Sequence, residues 1–309
     1  MSNSSGLFLL NSDPDMIVYG TLYFFLASGT LPFYVLMFCV GRKEMSNWSY
    51  KLMNLINVLE ATQAAAHFIT SPLLIFPQLL VKLHVLVGII GPMANCCWLA
   101  VLPTMATLAV CRFLIFGNVI KSGEPPLFLK IVFFTTMSWC FFTFVYGSIT
   151  QNFLMYPPLW QYDFDAPFAK LLSFLELPLS FVSLAISFFS YLSISFLIYQ
   201  RRKTASVSTS RTSEIAILLQ YTFITLYITT LIVLFHSADE WMDMSNSRNL
   251  AILNSLWICT GFVNPVSLLI VNTSFRNECK LAFGIQKTHS SFVTIRSKVG
   301  TSEVTKTLT

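Results

Sequence analysis

The chain has 309 residues, of which 55% are hydrophobic and only 11% are charged. Soluble domains carry about 25% charged residues, so this composition argues against a soluble fold. The net charge of +5 does not indicate nucleic-acid binding, because the cations are concentrated in particular gaps between long apolar stretches.

Seven apolar stretches are predicted to cross a membrane. They lie, in chain order, at residues 16–40, 52–76, 83–116, 128–150, 171–199, 215–235 and 250–271. At about 1.5 Å per residue, each is long enough to cross a hydrocarbon core about 30 Å thick. Because lipid offers the backbone no hydrogen-bond partners, such stretches should be helices. The sequence therefore predicts an all-α bundle of seven transmembrane helices.

The charges between the stretches predict the orientation. Most Lys and Arg residues lie near residues 41–51, 117–130 and 200–213 and after residue 272, whereas the alternate gaps hold only Lys82, Lys170 and Arg248 and are acidic. Cytosolic loops are the ones enriched in Lys and Arg. We therefore expect an extracellular N-terminus at residues 1–15, a transmembrane domain at 16–284 and a cytosolic tail at 285–309.

Two modification sites are predicted, one at each end of the chain. Asn3 begins a glycosylation sequon on the predicted outer side. Cys279 follows the last span in a segment where apolar and basic residues are mixed, so a lipidated cysteine and a plain structural thiol are both open. All seven cysteines lie in predicted spans or at the cytosolic edge, so we expect no structural disulfide.

The longest predicted outer loop, at residues 151–167, is rich in aromatic and acidic residues. Tyr and Trp residues are enriched at membrane interfaces, so the loop fits an interfacial aromatic belt. It also fits a lid over an outward-facing cavity. The sequence leaves both interpretations open.

Three ionisable residues inside predicted spans mark functional hypotheses, because a charge is costly there. Glu60 lies in the second span, and His67 follows seven residues later on the same helix face. Glu60 is either a protonated or hydrogen-bonded carboxyl or a cation-binding site, and His67 is either a satisfied bundle histidine or a ligand contact. Glu176, near the outer end of the fifth span, either extends to the interface or faces inward towards a ligand.

Two motifs lie near the predicted cytosolic end. Leu-Ala-Val-Cys-Arg-Phe at residues 108–113 resembles the Asp-Arg-Tyr box of rhodopsin-like G-protein-coupled receptors, and Asn264-Pro265 resembles the Asn-Pro-x-x-Tyr segment of that family. Pro265 removes a backbone hydrogen bond and permits a kink, and Asn264 can hydrogen-bond across helices. The resemblance implies that Arg112 faces the G protein and that Cys111, Asn264 and Pro265 belong to the switch. With Asn272 and Phe275-Arg276 after the last span, it also implies a short amphipathic eighth helix. Arg112 also fits a simple helix anchor.

The motifs depart from the rhodopsin pattern in ways that are similar to the nematode serpentine chemoreceptors. Cys111 stands in place of the acid before the Arg, and Leu268 in place of the Tyr. The features that suggest one branch are Leu-Pro-Phe-Tyr at 31–34, Tyr-Lys-Leu-Met at 50–53, His67, Glu214 and Gln220. Together they look most like class T, with classes V and X as close alternatives.

This resemblance implies a chemosensory receptor that binds a small molecule in an outward-facing cavity and activates a heterotrimeric G protein. Helix spacing from Arg112 and Asn264, together with polar residues of other spans, proposes the cavity residues His67, Asn95, Trp98, Glu176, Tyr227, Asn254 and Trp257. A kinase and an arrestin at the Ser/Thr-rich tail are further implied partners, and the implied location is the plasma membrane of sensory cilia. No enzyme activity, cofactor or metal is expected.

Three other classes of membrane protein fit the sequence less well than a receptor. An opsin is excluded, because residues 250–271 contain no Lys for a retinal Schiff base. A small-solute transporter should show internal repeats and broken helices, which the sequence does not clearly show. An odorant-gated ion channel has no obvious polar pore segment here, yet channel and transporter both remain alternatives.

Overall fold

The computed structural model describes residues 8–41, 48–120, 125–204, 211–271 and 273–282. Its helices are α1 Pro14–Gly41, α2 Trp48–Thr70, α3 Pro72–Ile75, α4 Pro77–Lys82, α5 His84–Phe116, α6 Leu127–Thr150, α7 Ala169–Thr204, α8 Arg211–His236, α9 Ala238–Trp241, α10 Ser247–Val271 and α11 Thr273–Ala282. An antiparallel hairpin, β1 Phe153–Tyr156 and β2 Leu159–Tyr162, lies between α6 and α7. Asn3 and the tail at residues 285–309 lie outside the described residues.

The long helices α1, α2, α5, α6, α7, α8 and α10 form the predicted seven-helix bundle. By length and composition, five helices within the described residues could cross a membrane, namely α1, α5, α6, α7 and α10. Helix α2 is less apolar because it carries Lys51, Glu60, Gln63 and His67. Three of these four residues are buried inside the bundle, where a polar helix face finds protein partners instead of lipid.

Helix α5 is at the centre of the bundle and α6 is at its edge. The most apolar stretch of α5 is 72% buried, against 17% for α6. Helix α5 contacts α2, α6 and α7, while α1 packs on α2 and α10, and α8 packs on α7 and α10. The exposed large side chains of α6, such as Phe134 and Phe141, are those expected of a lipid-facing surface.

The second span is shorter than predicted. The sequence predicts one span at residues 52–76, but α2 ends at Thr70 and two short helices follow, which start at Pro72 and Pro77. Proline has no N–H to donate and fits the first turn of a helix, so each proline starts a new helix. The Asn11 side chain donates to the Leu74 carbonyl at 3.0 Å and holds the segment before α1 against α3.

Polar side chains cap the outer ends of two membrane helices. The Asp13 carboxylate accepts a hydrogen bond of 3.0 Å from the backbone N–H of Asp15 at the start of α1. The Asn246 side chain accepts one of 2.9 Å from the backbone N–H of Arg248 at the start of α10. Such caps satisfy N–H groups that have no partner inside the helix.

Helix α11 is the predicted amphipathic eighth helix. Its Phe275 packs beside a buried cluster that includes Tyr34 and Leu268. The Arg276 guanidinium donates to the carbonyls of Leu269 and Ile270 at the end of α10. Those carbonyls lack partners within their own helix, so Arg276 satisfies them.

The predicted lipidation site, Cys279, lies buried on α11. Its residue surface is only 6% exposed, and all seven cysteines are free thiols. A lipid-transferring enzyme needs an accessible thiol, which Cys279 does not offer in this conformation. Cys279 is packed as a free thiol in this structure, and its lipidation stays a prediction.

Candidate functional site

A cavity of about 210 Å³ lies in the outer half of the bundle, between α5, α7, α8, α10 and the hairpin. Aromatic rings dominate its wall, and the polar groups are few. The lining residues are Asn95, Trp98, Phe153, Leu159, Trp160, Gln161, Tyr162, Phe164, Ser173, Glu176, Ser180, Leu231, Ile232, Phe235, His236, Met244, Leu253 and Trp257. An apolar cavity with a few convergent polar groups is the usual form of a small-molecule site.

The structure brings four of the sequence-predicted residues into this cavity, namely Asn95, Trp98, Glu176 and Trp257. Trp98 and Trp257 lie with their ring centroids 6.0 Å apart. Counting helical turns from the inner motifs therefore placed α5 and α10 with the right face inward. Their role as ligand contacts stays a proposal.

The other three predicted residues do not line this cavity. His67 is buried on α2, and its ring contacts Trp257 edge-on at 5.2 Å. The Tyr227 hydroxyl donates to the Leu256 carbonyl at 2.9 Å and so joins α8 to α10. Asn254 is 1% exposed, and neither polar atom of its amide has a direct hydrogen-bond partner among the described residues. Spacing predicts a helix face, but neighbouring helices already cover these three positions.

Glu176 connects three elements at the cavity wall. Its Oε1 accepts a hydrogen bond of 3.1 Å from Trp98 Nε1 on α5. Its Oε2 accepts one of 3.0 Å from the Tyr162 hydroxyl on β2, and Asn95 in turn donates to that hydroxyl at 2.8 Å. Burial and the neighbouring carboxylate raise the pKa of Tyr162 far above its usual range, so this hydroxyl stays protonated and donates.

The hairpin in the outer loop forms the roof of the cavity. The rings of Phe153 and Trp160 stack at 6.2 Å with an interplanar angle of 2°. Both residues are buried, at 5% and 3% exposure. The hairpin therefore forms a lid, which is one of the two interpretations of this loop that the sequence allowed; the other was an interfacial aromatic belt. The contributions of individual loop residues were missed, although Pro157-Pro158 between the two strands is a turn signal in the sequence.

Gly91 on α5 allows the hairpin to pack directly against this helix. A Cβ at this position would lie 2.5 Å from Trp160 Cζ3 and 2.6 Å from the Phe153 carbonyl oxygen. The second of these atoms is backbone, so it cannot turn away as a flexible side chain would. The close approach therefore requires glycine at this position.

We expect Gly91→Ala to displace the hairpin and to lower the stability of the protein by about 1–3 kcal/mol, the usual cost of overpacking. The measurement is thermal unfolding of the purified protein in detergent. Gly29→Ala on α1 is the matched control, because its new methyl would meet only the end of the Phe262 ring, at 3.2 Å. Equal destabilisation by both substitutions would contradict this explanation.

Trp257 forms the floor of the cavity and faces a second polar region beneath it. Its Nε1 donates to Gln63 Oε1 on α2 at 3.3 Å. A small void of about 10 Å³ lies next to it, lined in part by Glu60, His67 and Gly261. That volume is about what one water molecule needs. Trp257 thus touches both the cavity and the bundle interior.

A buried hydrogen-bond network joins α1, α2, α8 and α10 below Trp257. Asn264 Nδ2 lies 3.1 Å from both Asn57 Oδ1 and Glu60 Oε2, and donates to each. Gln220 Nε2 donates to Asn264 Oδ1 at 3.2 Å. The Tyr34 hydroxyl lies 3.1 Å from Glu60 Oε2 and 2.8 Å from the Gly261 carbonyl. Glu60 is therefore hydrogen-bonded; cation binding there stays a proposal.

The inner end of α5 holds Arg112 in a closed pocket. Its residue surface is 9% exposed, its Nη2 donates to Met53 Sδ at 3.0 Å, and its guanidinium carbon lies 4.5 Å from the ring centroid of Tyr221. Tyr221 stacks on Tyr191 at 5.2 Å. Cys111 Sγ lies 3.7 Å from the Ser49 hydroxyl. With Cys in place of an acid before it, Arg112 is covered by tyrosine rings instead of a neighbouring carboxylate.

The comparisons with known proteins define the fold. No protein-family model matches the sequence, and no curated protein does. Among solved structures, 423 chains match. The crystal structure of squid rhodopsin matches with a TM-score of 0.62 at 13% identity, over 90% of this chain and 88% of that one. At this identity the similarity reports the fold alone, and the chain has the seven-helix fold of rhodopsin that its motifs predicted.

Proposed function

We propose that the chain is a chemosensory G-protein-coupled receptor, which binds a small molecule in its outer cavity and activates a heterotrimeric G protein at its inner end. The observation that carries the proposal is the position of Trp257, which lines the cavity, donates to Gln63 and borders the small void that Glu60 of the buried network also lines. The rhodopsin fold supports the same reading. A ligand that contacts Trp257 thereby contacts a residue hydrogen-bonded to the bundle interior.

The route to the inner end runs through α8. Gln220 belongs to the network through Asn264, and the next residue, Tyr221, covers Arg112. A shift of α8 that moves Gln220 must also move Tyr221, because they are adjacent on one helix. The ligand drives this shift only if it binds the open state more tightly than the closed one. Opening then uncovers Arg112, Cys111 beside it, and the inner half of α10 at Pro265 for the G protein.

The finer parts of the proposal rest on the sequence resemblance. We place the chain among the nematode serpentine chemoreceptors, most like class T, in the plasma membrane of sensory cilia. Residues 1–15 are then the extracellular segment, which is glycosylated at Asn3, and residues 16–284 are the transmembrane domain. Residues 285–309 are the cytosolic tail, which a kinase phosphorylates and an arrestin binds.

The test is nucleotide exchange by a purified heterotrimeric G protein added to membranes that contain the receptor. We expect a ligand-dependent rise in exchange, and no ligand-gated ion flux in the same membranes. An ion current that persists when the G protein is blocked would instead indicate a channel. Ligand uptake against a gradient would indicate a transporter.

A further inference from the structure

Glu176 is a carboxyl group that faces the cavity without a cationic partner. Its two hydrogen bonds come from neutral donors, the indole of Trp98 and the hydroxyl of Tyr162. A carboxylate has about four acceptor positions, so two remain open. Among the described residues that line the cavity there is no Lys or Arg, and the lining histidine, His236 on α8, is not a hydrogen-bond partner of Glu176. Charges in such surroundings are usually paired, so a positive group is missing from this wall.

The cavity walls suit an organic cation. Trp98, Trp160, Tyr162, Phe235 and Trp257 all present aromatic surface to it. The face of an aromatic ring attracts a cation within about 6 Å and also packs against an apolar body. With a volume of about 210 Å³, the cavity is smaller than the roughly 300–1,000 Å³ typical of drug-sized ligands. The ligand is therefore small.

Three aspartates are adjacent in sequence to residues that line the cavity. Asp163 and Asp165 flank Phe164, and Asp243 precedes Met244; Phe164 and Met244 both line the cavity. The cations of the predicted outer gaps, Lys82, Lys170 and Arg248, are not adjacent in sequence to any lining residue. Carboxylates close to a cavity attract cationic ligands and repel anionic ones.

We infer that the outer cavity takes a small protonated amine, whose ammonium group pairs with Glu176 and whose apolar body lies among the tryptophan rings. This inference rests on the proposed function, since it names the ligand class of the same cavity. An anionic ligand would meet the carboxyl group of Glu176 and the neighbouring aspartates. A neutral ligand would leave Glu176 without a counter-charge.

The test measures binding to the purified receptor in lipid nanodiscs, with no G protein present. The probes are three matched sets of amine, alcohol and carboxylate, built on phenylethyl, cyclohexylethyl and n-hexyl skeletons. Binding is read from quenching of tryptophan fluorescence, because Trp98, Trp160 and Trp257 line the cavity. We expect saturable binding of at least one amine, and binding of its alcohol and carboxylate that is weaker by roughly thirtyfold or more.

Substitutions then assign the preference to Glu176. Glu176→Gln should weaken binding of the amine by roughly thirtyfold and leave binding of the alcohol unchanged. Glu176→Asp, which keeps the charge, should restore most of the amine affinity. Glu240→Gln is the matched control, because Glu240 is an exposed outer carboxylate outside the lining and should change amine binding less than about twofold.

Three results would overturn the inference: an alcohol or carboxylate that binds as tightly as its amine, no saturable amine binding, or equal losses in Glu176→Gln and Glu240→Gln. If Glu176→Gln does not fold, the inference is decided by whether the unmodified receptor binds the amine of each set more tightly than the alcohol and the carboxylate. Amine binding without any nucleotide exchange would leave the ligand class standing and refute the receptor function. Nucleotide exchange driven only by neutral or acidic ligands would support the receptor function and refute the amine as the ligand class.

Discussion

Arg112→Ala is expected to abolish G-protein activation while the receptor still folds and reaches the cell surface. The guanidinium is the group that we propose meets the G protein once α8 moves. In the closed state its contacts are weak ones, a thioether sulfur and the face of Tyr221, and its Nη1 has no partner among the described residues. Losing a cation–π contact costs only about 0.5–2 kcal/mol, and removing a buried charge without an acidic partner offsets part of that cost.

The measurement for Arg112→Ala combines nucleotide exchange with surface labelling. Lys51→Ala is the control, because Lys51 is an exposed cation near the same end of the bundle and should leave exchange unchanged. Normal nucleotide exchange in the Arg112→Ala variant would contradict the proposed role of Arg112 in G-protein activation. Loss of the protein from the surface would instead assign Arg112 the role of a helix anchor.

Asn264→Leu is expected to destabilise the receptor by roughly 3–5 kcal/mol and to stop activation. The substitution removes both donors and the acceptor of the Asn264 amide, and leaves Asn57, Glu60 and Gln220 buried without this partner. Each buried polar group that loses its partner costs about 1–3 kcal/mol, less where another partner remains. Thermal unfolding in detergent gives the stability, and nucleotide exchange gives the activity.

The same helix supplies a matched control for Asn264. Asn254 is also a buried asparagine of α10, but it is not one of the hydrogen-bond partners of Asn264. Asn254→Leu leaves the network of Asn264 intact and affects only an interaction with the Tyr23 side chain on α1, so it should cost clearly less stability than Asn264→Leu. If both substitutions lower the stability by the same amount, the loss comes from replacing any buried asparagine on α10 and not from breaking the hydrogen-bond network.

The fold was predictable because lipid imposes a simple rule on sequence. Each span had to be long and apolar, and the Lys and Arg residues indicated which ends lie in the cytosol. The second span was the exception. Its apolar run continues past Thr70, but Pro72 and Pro77 start new helices there. The sequence does mark that break, because the polar pair Thr70-Ser71 precedes Pro72 and proline fits the first turn of a new helix; mean hydropathy over the whole stretch hides it.

The sequence predicted cavity residues that lie on helices, but it did not predict those that lie in the outer loop. Asn95, Trp98 and Trp257 follow from regular helical steps, which persist along α5 and α10. Phe153 and Trp160 enter the cavity because a hairpin folds inward over Gly91. A hairpin of four-residue strands has too few residues to show a period. His67 and Asn254 share a face with functional residues but are covered by neighbouring helices.

The position of Trp257 carries a thermodynamic consequence for the two ends of the receptor. If a ligand on one side of the indole biases the network on the other, the coupling free energy is the same in both directions. Occupation of the inner end by a G protein must then tighten ligand binding by the factor by which the ligand tightens G-protein binding. Under the proposed function, the affinity of the outer cavity is a property of the whole complex, and removing the G protein should lower it without any change in the cavity's own residues.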